Sequence, residues 1–226
     1  MVDPSDGQGV LLRGLAHELR APLQALLGHL DLVTEETLGP LSPEQAGALA
    51  EVAAGAERIL AVCDDVLQVA RIDSGQETVA RGAVALDELL SREVAAIEPL
   101  ARRSGLRIGW ECPPGLTVDS DGTKLARVIT NLLSNAVKYT SSGQVSLRAE
   151  RLPDGGCAIE VADTGEGIAP EHHEAVFEEY VRLGGAIEGT GLGLPIVRRL
   201  VELLGGRLSL DSEPGKGTRV RVAIPG

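Results

Sequence analysis

The residue types able to do chemistry in this chain gather in five short stretches. His17 and Glu18 are adjacent, and a solvent-facing neutral imidazole has a lone pair for nucleophilic attack while a neighbouring carboxylate accepts or orients the ring proton. Asn131, Asn135 and Lys138 recur at spacings of four and three, so a helix carries two amides and an ammonium on one face. Amide oxygens suit Mg²⁺ and an ammonium suits phosphate. Asp163-Thr164-Gly165-Glu166-Gly167-Ile168 follows an apolar strand. There a carboxylate can accept from an exocyclic amine, and two glycines let the backbone approach a flat ring. Gly189-Thr190-Gly191-Leu192-Gly193-Leu194 precedes a helix, where freed amides form an anion site suited to a di- or triphosphate. Gly215-Lys216-Gly217-Thr218 turns into the last strand. Each stretch alone also fits a plainer account: a surface histidine, a solvated polar stripe, a simple turn, a glycine run without the leading strand of a dinucleotide fingerprint, and a hairpin turn.

The elements that must hold these residues follow from periodicity. Leu12, Leu15, Leu19, Leu26 and Val33 predict an amphipathic helix that turns His17 away from its apolar stripe, with Pro22 interrupting it one turn after the histidine. Ser42, Pro43 and Gln45 supply a capping box and a proline start for a second helix, in which Leu49, Val52, Ala56, Ile59, Cys63, Val66 and Ala70 keep a three-four alternation up to Ser74-Gly75. Two helices alone bury too little surface. Residues 8–74 are therefore expected to pair with a second copy as a four-helix bundle, a homodimer. From about residue 80 the pattern becomes mixed α/β. Strands are predicted at 106–111, 144–150, 157–162, 207–211 and 218–224 and helices at 86–103, 122–139 and 191–204, as a layered sheet with helices on one face. Segment 75–84 reads as a linker, and the domain division as 1–78 and 79–226.

Composition narrows the function class. The 226 residues are 43% hydrophobic, enough for a sizeable core. The net charge of −12 argues against nonspecific nucleic-acid or anionic-membrane binding, so phosphate must be gripped locally. No apolar run reaches membrane-spanning length and no leader precedes the first helix, so the expected location is cytoplasmic. Cys63, Cys112 and Cys157 are too few and too scattered for a disulfide framework or a zinc site.

Order and spacing together closely resemble the transmitter core of sensor histidine kinases, over nearly the whole chain from residue 8. The resemblance implies a helical hairpin for dimerisation and phosphotransfer followed by an α/β sandwich of the histidine kinase and chaperone ATPase (Bergerat) type. Residues 14–24 resemble its H box, 131–139 the N box, 163–167 the G1 box, 177–182 the F box, 189–193 the G2 box and 215–218 the G3 region. It implies that His17 accepts the γ-phosphoryl group of ATP with Glu18 as base, that Asn135 coordinates Mg²⁺ with help from Asn131, and that Lys138 touches phosphate. Tyr139 would lie beside adenine, Asp163 would read its amino group and Thr218 would support this through water. Arg182 would approach the γ-phosphate. Gly165, Gly167, Ile168, Thr190, Gly191, Leu192, Gly193 and Leu194 would line the nucleotide, and residues 183–190 would form a short lid. The implied partners are a separate response regulator, whose aspartate takes the phosphoryl group, and an upstream sensor domain or protein. Ala21 stands where kinases that also dephosphorylate their partner carry Thr or Asn, so phosphatase activity is expected to be weak. The alternatives are a catalytically weak ATP-binding dimeric scaffold and an ATPase machine sharing the nucleotide fold, which usually carries glutamate where Asn131 stands.

Overall fold

The computed structural model describes residues 4–35, 39–183 and 190–226 and, in the first helix, the side chains of residue 14 and of residue 18 onward. It divides into two compact units, Met1–Gln76 and Glu77–Gly226.

In the first unit α1 (Pro4–Thr34) and α2 (Pro43–Asp73) form the hairpin. α2 starts as its sequence predicts. The Gln45 N–H donates to Ser42 Oγ at 3.2 Å, the Ser42 N–H donates to Gln45 Oε1 at 2.9 Å, and Pro43 opens the helix. α1, in contrast, runs unbroken through Pro22. A proline forfeits one hydrogen bond, and here packing on α2 and the Arg20–Asp64 ion pair hold the helix across it. The apolar stripe predicted on α2 divides: Ala56 and Cys63 are buried, whereas Val52 and Ile59 stay 51% and 48% exposed.

The second unit contains β1 (Gly82–Ala85), α3 (Leu86–Arg103), β2 (Arg107–Glu111), β3 (Thr117–Ser120), α4 (Gly122–Lys138), β4 (Gln144–Arg151), β5 (Cys157–Asp163), α5 (Gly193–Leu203), β6 (Arg207–Glu213) and β7 (Gly217–Ile224). Five strands form one sheet in the order β2-β4-β5-β7-β6, with β2 parallel to β4 and the other pairs antiparallel. A helical hairpin followed by an α/β sandwich is the fold class expected from the sequence. Register sets Leu147 opposite Val161 and Ile159 opposite Val222, all buried where α3, α4 and α5 cover the sheet. Leu90, Leu125, Ile129, Leu133, Ile196 and Leu200 are fully buried on the helices, each contributing about 1.5–3 kcal/mol. Alternate residues face the other way and pair across strands: Arg221 with Glu150, and Arg219 with Glu160 at 3.4 Å.

Two short pieces are not legible in the sequence. β1 and β3 form a separate antiparallel ribbon, with Val84 opposite Val118, so residues 82–84 of the expected linker are strand. Its register depends on a partner about 35 residues away that local pattern does not reveal. Single turns at Pro170–His172 and Ala175–Phe177 likewise carry no local signal. The three cysteines are free, and burial pushes the Cys157 thiol up to about 12, as befits a small hydrophobe. Among the described residues no helix is long and apolar enough to cross a membrane.

Candidate functional site

α4 is amphipathic in the way its sequence demands. Leu125, Val128, Ile129, Leu132, Leu133 and Ala136 bury its apolar face, leaving Asn131, Asn135 and Lys138 half-buried. The Asn131 Nδ2 donates to the Arg127 carbonyl at 2.9 Å, which commits the nitrogen and leaves Oδ1 as the available atom. Gly193, first residue of α5, lies against both amides: a methyl group there would sit 3.4 Å from Asn131 Oδ1 and 3.4 Å from Asn135 Nδ2. α5 opens with no side-chain cap, because Leu192 holds the capping position. Its first amides are thus available to an anion beside two amide side chains. Leu192 is buried and its N–H donates to Thr190 Oγ1 at 3.1 Å, while Leu194 is half-buried in the first turn.

The turn after β5 closes onto the end of α4. The Glu166 N–H donates to the Tyr139 carbonyl at 3.1 Å, and any side chain at Gly165 would overlap that oxygen. Gly217 is more confined still. At φ +94° it lies against the Asp163 carbonyl, where a Cβ has no room. Asp163 Oδ1 accepts from the Gly165 N–H at 2.8 Å and the Thr218 N–H at 3.2 Å, and Oδ2 has no partner among the described residues. Burial raises the Asp163 pKa above the ordinary carboxylate value, against the lowering effect of those two bonds. Lys138 Nζ lies 5.0 Å from the Tyr139 ring centroid, a cation–π contact at the end of the helix. Asn131, Asn135 and Gly193 thus meet at the start of α5, and Tyr139, Asp163, Gly165 and Thr218 meet at the turns after β5 and before β7, where Gly167 lies against the Gly217 carbonyl and the Ile168 N–H donates to Ser212 Oγ at 2.8 Å.

Other expected residues stand differently. His17 and Glu18 lie on α1 in the first unit; Glu18 is exposed, and the His17 side chain falls outside the described residues, as do Gly189 and most of the expected lid. Arg182 is exposed. Phe177, the start of the F-box stretch, ends a short turn and lies 5.6 Å from the Arg198 guanidinium on α5. Tyr180 holds a positive φ of 63°, and its N–H donates to the Gly191 carbonyl at 3.1 Å, joining the two segments that flank residues 182–190.

Sequence reasoning missed the group that starts α4. Asp121, only 4% exposed, caps the helix by accepting from the Thr123 and Lys124 N–H groups at 3.0 and 3.1 Å. Its Oδ2 accepts from the Ala80 N–H at 2.9 Å and the Lys124 ammonium at 3.0 Å, and that ammonium also meets Glu77 at 3.1 Å. Burial alone would raise the Asp121 pKa, but these bonds outweigh it and hold the carboxyl below its usual value. Segment 77–80 is thereby fixed to the first turn of the helix that carries the two asparagines. An Asp-Gly-Thr-Lys run is a readable cap; its long-range partners are not.

Comparison with known proteins agrees with this geometry. Residues 120–226 match the family of histidine kinase-, DNA gyrase B- and HSP90-like ATPases, and residues 8–75 match the His Kinase A phospho-acceptor domain. The chain belongs to the sensor histidine kinases, as the two-domain core of that family. It is 35% identical over 224 residues to the histidine protein kinase DivJ of Caulobacter vibrioides, covering 97% of this chain and 37% of that protein. It is 36% identical over 217 residues to the sensor histidine kinase AruS of Pseudomonas aeruginosa, covering 92% and 21%. The crystal structure of full-length ShkA in complex with AMPPNP has 31% identity and a TM-score of 0.80, over 99% of this chain and 46% of that one. The chain thus spans less than half the length of each of these relatives.

Proposed function

We propose that this chain binds ATP at the junction of α4, α5 and the turns after β5 and before β7, and transfers its γ-phosphoryl group to His17. The observation that carries the reading is the approach of Gly193 to both Asn131 and Asn135, which brings an uncapped helix N-terminus against two amides. The triphosphate lies along the first turn of α5 near Lys138, with Arg182 and Thr190 toward its outer end. Asp163 Oδ2 accepts from the adenine amino group, Tyr139 flanks the ring, and Gly165 and Gly167 allow close approach. Among the described residues no cage of three or more His, Cys, Asp or Glu is gathered. Mg²⁺ would be held by the Asn135 and Asn131 amide oxygens together with the nucleotide's own phosphates, and would neutralise charge on the phosphoryl group.

An imidazole nitrogen of His17 attacks the γ-phosphorus in line, the bond to the β,γ-bridging oxygen breaks, ADP departs, and the ring proton passes to Glu18. The phosphohistidine then donates to an aspartate of a separate response regulator, and an upstream sensor domain or protein sets the rate. Two copies of the hairpin pair as a four-helix bundle. Leu19, Leu26, Val52 and Ile59, 46%, 40%, 51% and 48% exposed in a single copy, support this because they repeat at seven-residue intervals on their helices.

Incubation of the chain with γ-labelled ATP and Mg²⁺ tests the reading. Acid-labile, alkali-stable label is expected in the wild type and absent in His17→Gln; label that persists in the variant eliminates His17 as acceptor. Ala21 presents only a methyl group one turn after His17, so it cannot orient a water for dephosphorylation. Ala21→Thr should speed phosphate release from a phosphorylated regulator by roughly tenfold, about the effect of one added hydrogen bond. An unchanged release rate would refute that assignment.

A further inference from the structure

Ser212 lies on β6 directly opposite Thr218 of β7 and is 5% exposed. Its Oγ has three neighbours: the Ile168 N–H at 2.8 Å, the Gly217 carbonyl oxygen at 2.9 Å and Thr218 Oγ1 at 2.9 Å. A serine hydroxyl has one hydrogen. The Ile168 amide can only donate and the Gly217 carbonyl can only accept, so the serine hydrogen must point at Gly217; otherwise two oxygens would face each other with lone pairs alone. Thr218 must then be the donor in the contact between the two hydroxyls. Its only hydrogen is spent on Ser212, and what it offers elsewhere is lone pairs.

The carboxylate beside it has the same polarity. Asp163 Oδ1 takes the Gly165 and Thr218 amides, and ionised Oδ2 can only accept. From these bonds we infer that Ser212 is a positioning residue that fixes the Thr218 hydroxyl as an acceptor and so helps select a purine with an amino group at position 6 over one with an oxo group. The inference rests on the nucleotide-binding reading above. A 6-amino group supplies hydrogens to such a pair, directly or through one water. A 6-oxo group adds a further acceptor, and a hydroxyl already committed to Ser212 cannot turn to meet it. Freed from Ser212, the threonine hydroxyl can donate, and the penalty against the 6-oxo base falls.

The experiment measures ADP and inosine diphosphate binding to the full chain by calorimetry, since the two ligands share ribose and phosphates and differ at the base edge. The wild type should prefer ADP. Ser212→Ala should weaken ADP and narrow the ADP-to-inosine-diphosphate ratio by about tenfold, the value of one hydrogen-bond mismatch. Thr218→Val, which deletes the hydroxyl without touching the serine, should narrow it similarly, and the double variant should match Thr218→Val alone. A merely structural role for Ser212 would weaken both ligands equally; that unchanged ratio, or effects of the two substitutions on the ratio that add, overturns the inference. If Ser212→Ala does not fold, an unchanged ratio in Thr218→Val overturns it equally. A wild type that binds neither diphosphate is a distinct result, which overturns the nucleotide reading and this inference with it.

Discussion

The two units solve the problem of burial in opposite ways. The α/β unit closes its own core: Leu90, Leu125, Ile129, Leu133, Leu147, Ile159, Ile196 and Leu200 are sealed between three helices and one face of the sheet. Having done so, it can hold polar groups inside, and Ser120, Asp121, Lys124, Thr140 and Ser212 are buried there. The hairpin keeps Leu19, Leu26, Val52 and Ile59 at the surface, and the buried residues of α2 are Ala56, Cys63, Leu67 and Val69. A self-sufficient core supports a rigid polar site, while an open one calls for an external partner. The difference matches the proposed division of labour, nucleotide on one unit and dimer on the other.

Three variants and one control test that contrast, the largest effect first. Gly217→Val forces a branched side chain into a left-handed position against the Asp163 carbonyl. The backbone clash alone, about 3 kcal/mol or more, should lower ATP binding more than about a hundredfold. Far-UV circular dichroism should still show the hairpin helices. Gly215→Ala is the control: its φ of +75° is strained, but nothing lies within 4 Å of the added methyl group, and binding should change only a few-fold. Equal losses in the two variants would break the picture of a site built on backbone contact.

Ile59→Asp strikes the other unit. A carboxylate in the proposed bundle seam should weaken the dimer by about a hundredfold, from lost burial of about 2–3 kcal/mol, as read by light scattering over a dilution series. ADP affinity should stay at the wild-type value, because the α/β unit carries its own core. A dimer that survives this change would move the interface elsewhere.

Asp121→Ala has an expected effect of similar size and concerns the segment that follows the hairpin. It removes the cap of α4 and one of the two carboxylates that meet the buried Lys124, and should cost about 2–3 kcal/mol in urea unfolding near pH 7. The sign of its pH dependence follows from the lowered pKa. The stabilisation is fully present above the ordinary carboxylate value of about 3.9 and is lost as pH falls through the lower folded value. The gap between variant and wild type should therefore shrink in acid, and a gap that widens there would exclude the ion cluster as its source.

Much of the molecule is legible in sequence where the signal is local. The capping box at Ser42, the extent of α3 and the polar face of α4 each depend on residues within a few turns of one another, and they occur as predicted. Pro22 shows the limit of a local rule, since α1 continues through it under tertiary support that a single helix would lack. The β1–β3 ribbon shows another: four small residues declare themselves a strand only when a distant segment pairs with them.

The sequence by itself determined the order of elements, the glycines required by tight turns and the residue types of each motif, because periodicity and backbone sterics act over short distances. Only the tertiary structure decided that Gly193 meets Asn131 and Asn135, that Gly217 lies on Asp163, and that the Ser212 and Thr218 hydroxyls meet. Those relations join residues between 6 and 62 positions apart through packing and hydrogen-bond direction, which no local spacing encodes.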